Sequence, residues 1–259
     1  MRPEETLPGC VQTIRDLLLL RIDRGRLLAV TCDAAGGIGS KPQDKVRADP
    51  RLVGKMTARV ALMELLAVGA DPIAITGTFA VEPEPTANRV IDGIRDELRN
   101  ARLRNVRLLY SSEKNMRVNQ TGVGITALGI VSESAMKIGR CKGNDEVVAI
   151  GEPCVGTEVI RAEKNRRVAN TRDVIRLREN QSVHELIPVG SRGILYEARS
   201  MASESKLHFV PLRSQQLDLK KSAGPATVLL ASLRKGSFAK VKNNLDVKPI
   251  EKIGTLRGR

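Results

Sequence analysis

The sequence has few aromatic and few zinc-binding side chains. Its 259 residues include no Trp, two Tyr, three Phe and two His. Proteins that bind single-stranded nucleic acids stack bases on aromatic rings, so this scarcity argues against such a surface. With only His184 and His208 present, the composition also argues against a zinc site.

The cysteines and the apolar segments exclude further classes. The cysteines, Cys10, Cys32, Cys141 and Cys154, have no metal-binding spacing and do not suggest a disulfide scaffold. We expect Cys32, on the apolar side of a short strand, to be a buried thiol rather than a nucleophile. No apolar run approaches the roughly 18 residues of a membrane span, and the N-terminus lacks a secretory pattern. We therefore expect a soluble, cytoplasmic protein without a membrane partner.

A formal net charge of +14 is the strongest bias of the composition. Such a charge suits anionic partners, nucleic acids included. The basic residues are spread out, however, and acids lie between them at helical spacing in residues 158–179. Because mixed signs at that spacing are typical of solvated helix faces, we do not expect nucleic acid as a partner. Attraction of anionic substrates is the alternative role for the charge.

A short strand and a glycine-rich turn occupy residues 27–41, LLAVTCDAAGGIGSK. The apolar run at the start of this stretch predicts a buried strand. Asp33 follows it, and then come three glycines, Gly36, Gly37 and Gly39. Glycines let backbone N–H groups approach an anion, and an acid at a strand end suits a phosphate held through a divalent metal. A simple glycine-rich turn is the alternative.

Strands and helices alternate along the whole chain, which predicts an α/β (α+β) fold in two domains. The composition changes near residues 132–142, so we place the domains at residues 1–135 and 136–259. In the first, the predicted strands cover residues 14–20, 27–32, 73–81, 106–110 and 122–131, and the predicted helices 51–68 and 86–100. In the second, the predicted strands cover residues 146–150, 207–210, 226–232 and 250–256, and the predicted helices 157–166, 170–179 and 190–203.

Three acids stand near the ends or edges of these elements, and a fourth lies within a predicted strand. Asp33 ends a strand, Glu64 lies in a largely apolar helix turn, and Glu113 follows a strand. Asp16 interrupts the first apolar strand, where it either faces solvent or points toward Asp33. In α/β folds, sites are commonly assembled from such ends. Glu64 is therefore either a boundary residue or a ligand that points into a site.

The chain also carries a characteristic series of segments. They are TCDAAGGIGSK at 31–41, ELLAVGADP at 64–72, SSEKN at 111–115 with TGVGITALGIV at 121–131, GEPCVG at 151–156, and KSAGPATVLL at 221–230. This series resembles the superfamily of aminoimidazole ribonucleotide synthetase, which includes thiamine-monophosphate kinase, selenophosphate synthetase and a hydrogenase maturation protein. Within it the pattern is most similar to α-ribazole kinase. Glu64 and Glu113 stand where Asp is frequent, and two serines, Ser111 and Ser112, replace paired glycines.

The resemblance implies a two-domain, PurM-like fold. Its N-terminal mixed sheet pairs with a second copy in a barrel-like homodimer interface, and its C-terminal α/β domain closes over a cleft that holds ATP and Mg²⁺. The catalytic residues implied are Asp33 and Glu113, and the metal ligands are Asp33, Glu64, Glu113 and Asp16. The cofactor-binding residues implied are Asp33, Gly36, Gly37, Gly39, Lys41 and Asn115.

The residue types agree with ATP chemistry, because phosphoryl transfer needs positioning and charge neutralisation more than a protein nucleophile. We expect an ATP- and Mg²⁺-dependent phosphotransferase acting on a small nucleoside-like molecule, specifically α-ribazole giving α-ribazole 5′-phosphate in cobalamin biosynthesis. An ATP-dependent cyclase of the synthetase type is the enzymatic alternative. A basic nucleic-acid-binding protein on the same fold is the non-enzymatic one.

Overall fold

The computed structural model describes residues 11–214 and 216–258, so Cys10 lies outside the described residues. The chain has a mixed α/β fold with two main sheets, which confirms the predicted fold class. The first sheet ends at residue 132 and the second begins at residue 146. Within the described part of the chain, no helix is long and apolar enough to cross a membrane.

The first half of the chain forms a mixed six-stranded sheet with two helices. Its elements are β1 (Val11–Ile14), β2 (Leu17–Asp23), β3 (Arg26–Gly36), β4 (Ile38–Gly39), β5 (Val46–Arg47), α1 (Pro50–Ala67), β6 (Asp71–Phe79), α2 (Asn88–Asn100), β7 (Arg107–Ser112) and β8 (Gly122–Ser132). The sheet order is β1-β2-β3-β8-β6-β7, while β4 and β5 form a separate parallel pair. β6 and β7 are also parallel, and a turn of π-helix at Pro83–Ala87 leads into α2.

The predicted single strand of residues 14–20 is wrong. β1 and β2 are separate antiparallel strands joined by a two-residue turn, Arg15 and Asp16, so that Ile14 pairs with Leu17. Arg15 has a φ of 54°, in the left-handed region that such tight turns use. The apolar pattern continues on both sides of the turn, which is why the sequence resembles one strand. Asp16 therefore lies on a turn at the end of the sheet.

The two faces of the first sheet differ in their surroundings. Thr31 faces α1, where its Oγ1 donates a hydrogen bond to Ala61 O at 2.9 Å. Strand alternation turns the next side chain, Cys32, to the opposite face, where it is exposed. The prediction that Cys32 is a buried thiol is therefore wrong. On the same face as Cys32, Leu28 and Val30 are only half-buried.

α1 and α2 cross closely at two glycines, Gly54 and Gly93. A Cβ on Gly93 would lie 1.8 Å from Arg51 O, and one on Gly54 would lie 2.1 Å from Val90 O. We expect Gly93→Ala to push the helices apart and lower the free energy of unfolding by roughly 1–3 kcal/mol, the usual effect of overpacking. Urea denaturation measures this loss. Gly143→Ala is the control, since no described atom lies within 4 Å of a Cβ there, and equal losses would contradict the close crossing.

The second half forms a five-stranded antiparallel sheet with four helices. Its elements are β9 (Glu146–Ile150), α3 (Thr157–Lys164), α4 (Thr171–Arg178), β10 (Val183–Pro188), α5 (Gly193–Glu204), β11 (Leu207–Pro211), β12 (Leu229–Leu233), α6 (Phe238–Asn243) and β13 (Ile250–Gly258). The sheet order is β10-β12-β9-β13-β11. The sequence patterns did not predict α6 or β10. In β10, His184 and Glu185 interrupt the apolar pattern, although Glu185 is 0% exposed.

The two halves share one apolar core. The largest cluster of buried side chains includes Leu62 and Leu66 of α1 together with Val148 and Leu186 of the second sheet. α1 contacts the first sheet and also α4 and β10, so it is covered from both halves. The division proposed at residue 135 lies in the segment between β8 and β9 and stays a prediction.

Candidate functional site

A cleft of about 310 Å³ lies between the two halves of the chain. Asp33 and Gly36, near the end of β3, line it from the first half, and Gly156 and Gly224 line it from the second. Asp33 is half-buried, and this burial raises the pKa of its carboxyl to about 6, with the charge of Asp16 adding to the shift. The prediction that the strand ends at Asp33 is wrong, because β3 continues to Gly36 and Asp33 pairs with Ile125 of β8. Asp33 nevertheless presents its carboxyl group to an interdomain cleft.

Glu64, on α1, is a buried acid close to Asp33. Only 9% of its surface is exposed. Burial raises the pKa of its carboxyl to about 8; the charges of Asp16, Glu197 and Asp33 contribute, and Arg15 opposes them. Among the described residues, none donates a hydrogen bond to Glu64. Its carboxylate oxygens are not among the fully buried unpartnered atoms of the described residues, so they keep some contact with solvent.

Arg15 holds the turn that carries Asp16 against the second half. Its side chain is 6% exposed and forms an ion pair with the buried Glu185. Arg15 Nε donates to both carboxylate oxygens of Glu204 at 3.0 Å, and Nη1 donates to Leu186 O at 3.3 Å. Asp16 itself is exposed. The turn thus holds an exposed carboxylate at the junction of the two halves.

Glu113, Lys41 and Asn115 line a different cleft, of about 400 Å³. Glu113 Oε1 accepts hydrogen bonds from the backbone N–H of Asn115 at 2.7 Å and of the following residue at 3.1 Å. These bonds hold the pKa of the Glu113 carboxyl below its usual range. Lys41 Nζ forms an ion pair with Glu82. The structure brings these three predicted site residues together, but in a cleft that Asp33 does not line.

The predicted phosphate loop bonds extensively to its own chain. Gly36 lines the interdomain cleft, whereas Gly37 N donates to Thr121 O at 2.8 Å. A Cβ on Gly39 would lie 2.3 Å from Thr121 Oγ1, so this glycine permits a close approach between two segments. The buried Asp44 accepts hydrogen bonds from Thr121 N and Oγ1, each at 2.7 Å. Sequence reasoning missed Asp44, because nothing in a polar loop distinguishes a buried aspartate from a solvated one.

The carboxylates of Asp33, Asp16 and Glu64 fit a divalent cation that is also bound by the phosphates of a nucleotide. In residues 11–214 and 216–258, no three His, Cys, Asp or Glu side chains are placed to hold a metal ion by themselves. Mg²⁺ is normally held by one or two carboxylates plus substrate phosphates. Asp33, Asp16 and Glu64 carry carboxylate oxygens, the type of ligand that would hold Mg²⁺ in such a complex.

The raised pKa values predict that stability falls as pH rises. The pKa of Glu64 is about 8 and that of Asp33 about 6, against about 4.3 and 3.9 in unfolded peptides. The folded state therefore binds more protons between about pH 4 and pH 8, and this stabilisation is lost as pH rises through 8. We expect the Tm without divalent metal to fall from about pH 6 to pH 8, and to fall less in Glu64→Gln. Glu133→Gln is the control, since Glu133 is half-buried in a surface pair with Arg21, and equal slopes in all three proteins would contradict the prediction.

Solved structures share the fold over nearly the whole chain. Thiamine-monophosphate kinase from Stenotrophomonas maltophilia K279a is 16% identical with a TM-score of 0.63, over 96% of this chain and 89% of that one. Hydrogenase maturation protein HypE, solved in complex with ATP, is 16% identical with a TM-score of 0.64, over 92% and 79%. AaThiL, solved with AMPPCP and TMP, is 14% identical with a TM-score of 0.63, over 94% and 85%. At these identities the likeness shows the fold alone.

The structure and these likenesses define a protein of the PurM-like fold, the superfamily of aminoimidazole ribonucleotide synthetase that the segments resemble. More particularly, residues 15–131 match the family model described as AIR synthase related protein, N-terminal domain. No curated protein matches the sequence. The predicted superfamily is thereby confirmed.

Proposed function

We propose that the chain is a cytoplasmic, ATP- and Mg²⁺-dependent phosphotransferase that acts on a small nucleoside-like molecule. The observation that carries the proposal is the interdomain cleft of about 310 Å³, lined by Asp33, with the buried Glu64 close to that carboxyl. The HypE structure holds ATP, and the AaThiL structure holds AMPPCP and TMP. Nucleotide binding by proteins of the same fold supports nucleotide binding here.

The proposed roles follow from the charge of each group. Bound Mg²⁺ neutralises the nucleotide phosphates, and the protein supplies its oxygen ligands and positions the reactants. The ligands proposed beside the interdomain cleft are Asp33, Asp16 and Glu64, and Glu113 is proposed as a ligand from the separate cleft that it lines. The nucleotide contacts proposed are Asp33, Gly36, Gly37 and Gly39, together with Lys41 and Asn115 in the cleft of Glu113. Lys41 offers a charged donor suited to a phosphate oxygen.

An ATP turnover assay with a panel of acceptors tests the proposal. The panel contains α-ribazole, adenosine, thiamine and thiamine monophosphate, with ADP followed by a coupled assay and products identified by phosphorus NMR. We expect α-ribazole to give α-ribazole 5′-phosphate. Release of inorganic phosphate with a ring-closed product would favour a cyclase, and absence of ADP with every acceptor would overturn the proposal.

We also propose that the chain forms a homodimer through the open face of the first sheet. Six half-buried apolar side chains from β2, β3 and β8 lie on that face: Leu18, Leu20, Leu28, Val30, Leu128 and Ile130. Contiguous apolar patches of this kind commonly mark interaction sites, and the resemblance implies a second copy as the partner. We expect light scattering to give a dimer mass, and Val30→Asp to give a monomer. A monomer mass for the unchanged chain at micromolar concentrations would contradict this.

A further inference from the structure

A separate pocket, of about 270 Å³, lies beside the turn between β1 and β2. Asp16 lines it from the first half of the chain, and Arg192, Tyr196, Glu197 and Ser200 line it from the second. These four residues belong to α5 or immediately precede it. The pocket is therefore built where the start of α5 meets the first hairpin turn.

Asp16 joins this pocket to the interdomain cleft. It lines the pocket, and its charge contributes to the raised pKa values of Asp33, Glu64 and Glu197. Leu17 pairs with Thr31, so the turn that carries Asp16 lies beside the segment of β3 that carries Asp33. Asp33 lines the interdomain cleft, and Glu64 is nine-tenths buried with no described donor. A group bound in the pocket therefore lies next to the end of the nucleotide cleft.

Tyr196 gives the pocket an aromatic surface. The residue is 44% exposed, and Arg192 Cζ lies 4.6 Å from the centroid of its ring. Arg192 also donates a hydrogen bond to the Tyr196 hydroxyl. Exposed aromatic rings stack on heterocycles, and the carboxylate of Glu197 can accept a hydrogen bond from a hydroxyl group.

The charges in the pocket disfavour an anionic ligand. Arg15 also lines it, but its guanidinium is paired with Glu185 and Glu204. Arg15, Glu185 and Glu204 together carry one negative charge more than positive. Asp16 and Glu197 also face the pocket, and burial raises the pKa of Glu197 to about 7, so that this carboxyl is partly ionised at neutral pH. Arg192 is the other positively charged residue among the described lining residues. Like charges in a partly buried site repel. A phosphate group would therefore be less favourable here than a neutral or cationic group.

We propose that this pocket binds the phosphoryl acceptor, and that the acceptor is a neutral or cationic heterocycle with a free hydroxyl group. This inference rests on the proposed phosphotransferase function and narrows its substrate class. The acceptor oxygen forms a bond to the γ-phosphorus of ATP, the bond from that phosphorus to the bridging oxygen of ADP breaks, and the hydroxyl proton leaves to water. Compounds that already carry a phosphate are poor acceptors because of the pocket's acids.

Calorimetric binding tests the inference. Three matched pairs are the probes: α-ribazole, adenosine and thiamine, each with its monophosphate, all added to full-length protein saturated with AMPPCP and Mg²⁺. We expect at least one unphosphorylated probe to bind about tenfold or more tightly than its monophosphate, and Tyr196→Ala to weaken that binding by about tenfold, the effect of losing one stacked base. Glu197→Gln, which keeps the side-chain shape, should weaken it as well. Tyr110→Ala is the matched control, since Tyr110 is 45% exposed on β7.

The outcomes separate this inference from the function on which it rests. Wild-type protein that fails to bind ATP with Mg²⁺ overturns the proposed function. Protein that binds ATP but no unphosphorylated probe overturns the inference alone, and so does a preference for the monophosphates. The inference is likewise wrong if neither Tyr196→Ala nor Glu197→Gln weakens acceptor binding. Thermal unfolding checks that each variant is folded. If Tyr196→Ala does not fold, the effect of Glu197→Gln on acceptor binding tests the inference.

Discussion

Asp33→Asn is expected to lower ATP turnover by about two to three orders of magnitude while the fold is kept, a loss of roughly 3–4 kcal/mol. Asn has nearly the shape of Asp but lacks the charge that Mg²⁺ requires. Charge neutralisation counts most in the transition state, so the loss should appear in kcat. The carboxyl faces the interdomain cleft, with its pKa raised to about 6 by burial.

Turnover and Tm are measured on the same preparation at saturating Mg²⁺. Asp23→Asn is the control, because Asp23 lies on the same hairpin in an exposed pair with Arg26, and we expect it to change neither quantity appreciably. An acid that only stabilises its loop would alter the Tm and leave turnover unchanged. If Asp33→Asn turns over normally, the metal-ligand interpretation of this stretch is wrong.

Arg59→Met is expected to lower the free energy of unfolding by roughly 3–5 kcal/mol, the effect of removing one partner of a buried ion pair. Arg59, on α1, has a side chain that is 3% exposed and pairs with Glu97 at 3.1 Å and with Glu163 at 2.7 Å. Glu97 is 1% exposed and also accepts a hydrogen bond from Thr171 Oγ1 at 2.7 Å. Without the guanidinium, the buried Glu97 loses its ion-pair partner, while Glu163 keeps only Lys55, 2.6 Å away.

Urea denaturation measures the loss, and Arg51→Met is the matched control. Arg51 lies on the same helix, but its side chain is 50% exposed where it pairs with Asp96, and exposed pairs contribute about 1 kcal/mol or less. We expect Arg59→Met combined with Glu97→Gln to be less destabilised than the sum of the single variants. Equal losses for Arg59→Met and Arg51→Met would show that the buried network adds nothing to stability.

The elements that the sequence predicted well carry their own periodic signal. α1 repeats apolar side chains at helical spacing, and β9 is a short apolar run, so both are found close to their predicted bounds. The turn at Arg15 has no such signal, because apolar residues continue on both sides of it. β10 was missed since its buried Glu185 is matched by Arg15, which lies 170 residues away in the sequence.

The candidate site was predictable to the extent that it depends on local segments. Asp33 and Gly36 line the interdomain cleft, next to the strand that the sequence indicated. The position of Glu113 depends on the path of its loop, which the sequence does not indicate. In the structure, the Glu113 carboxylate accepts a hydrogen bond from the backbone N–H of Asn115 and does not line the interdomain cleft. Tyr196 and Glu197 lie on a helix that was predicted, but their position beside Asp16 depends on how the two halves pack.

The anchoring of Arg15 has a consequence for the order of folding. Its partners Glu185 and Glu204 are 170 and 189 residues away in the sequence, and contacts at such separation require large loops to close first. We therefore expect the hairpin turn to reach its final position only once β10 and α5 have formed, and α1 is likewise buried by residues of both halves. We also expect the two sheets to unfold as one cooperative unit. A cut between β8 and β9 would separate two pieces that each expose part of a common core.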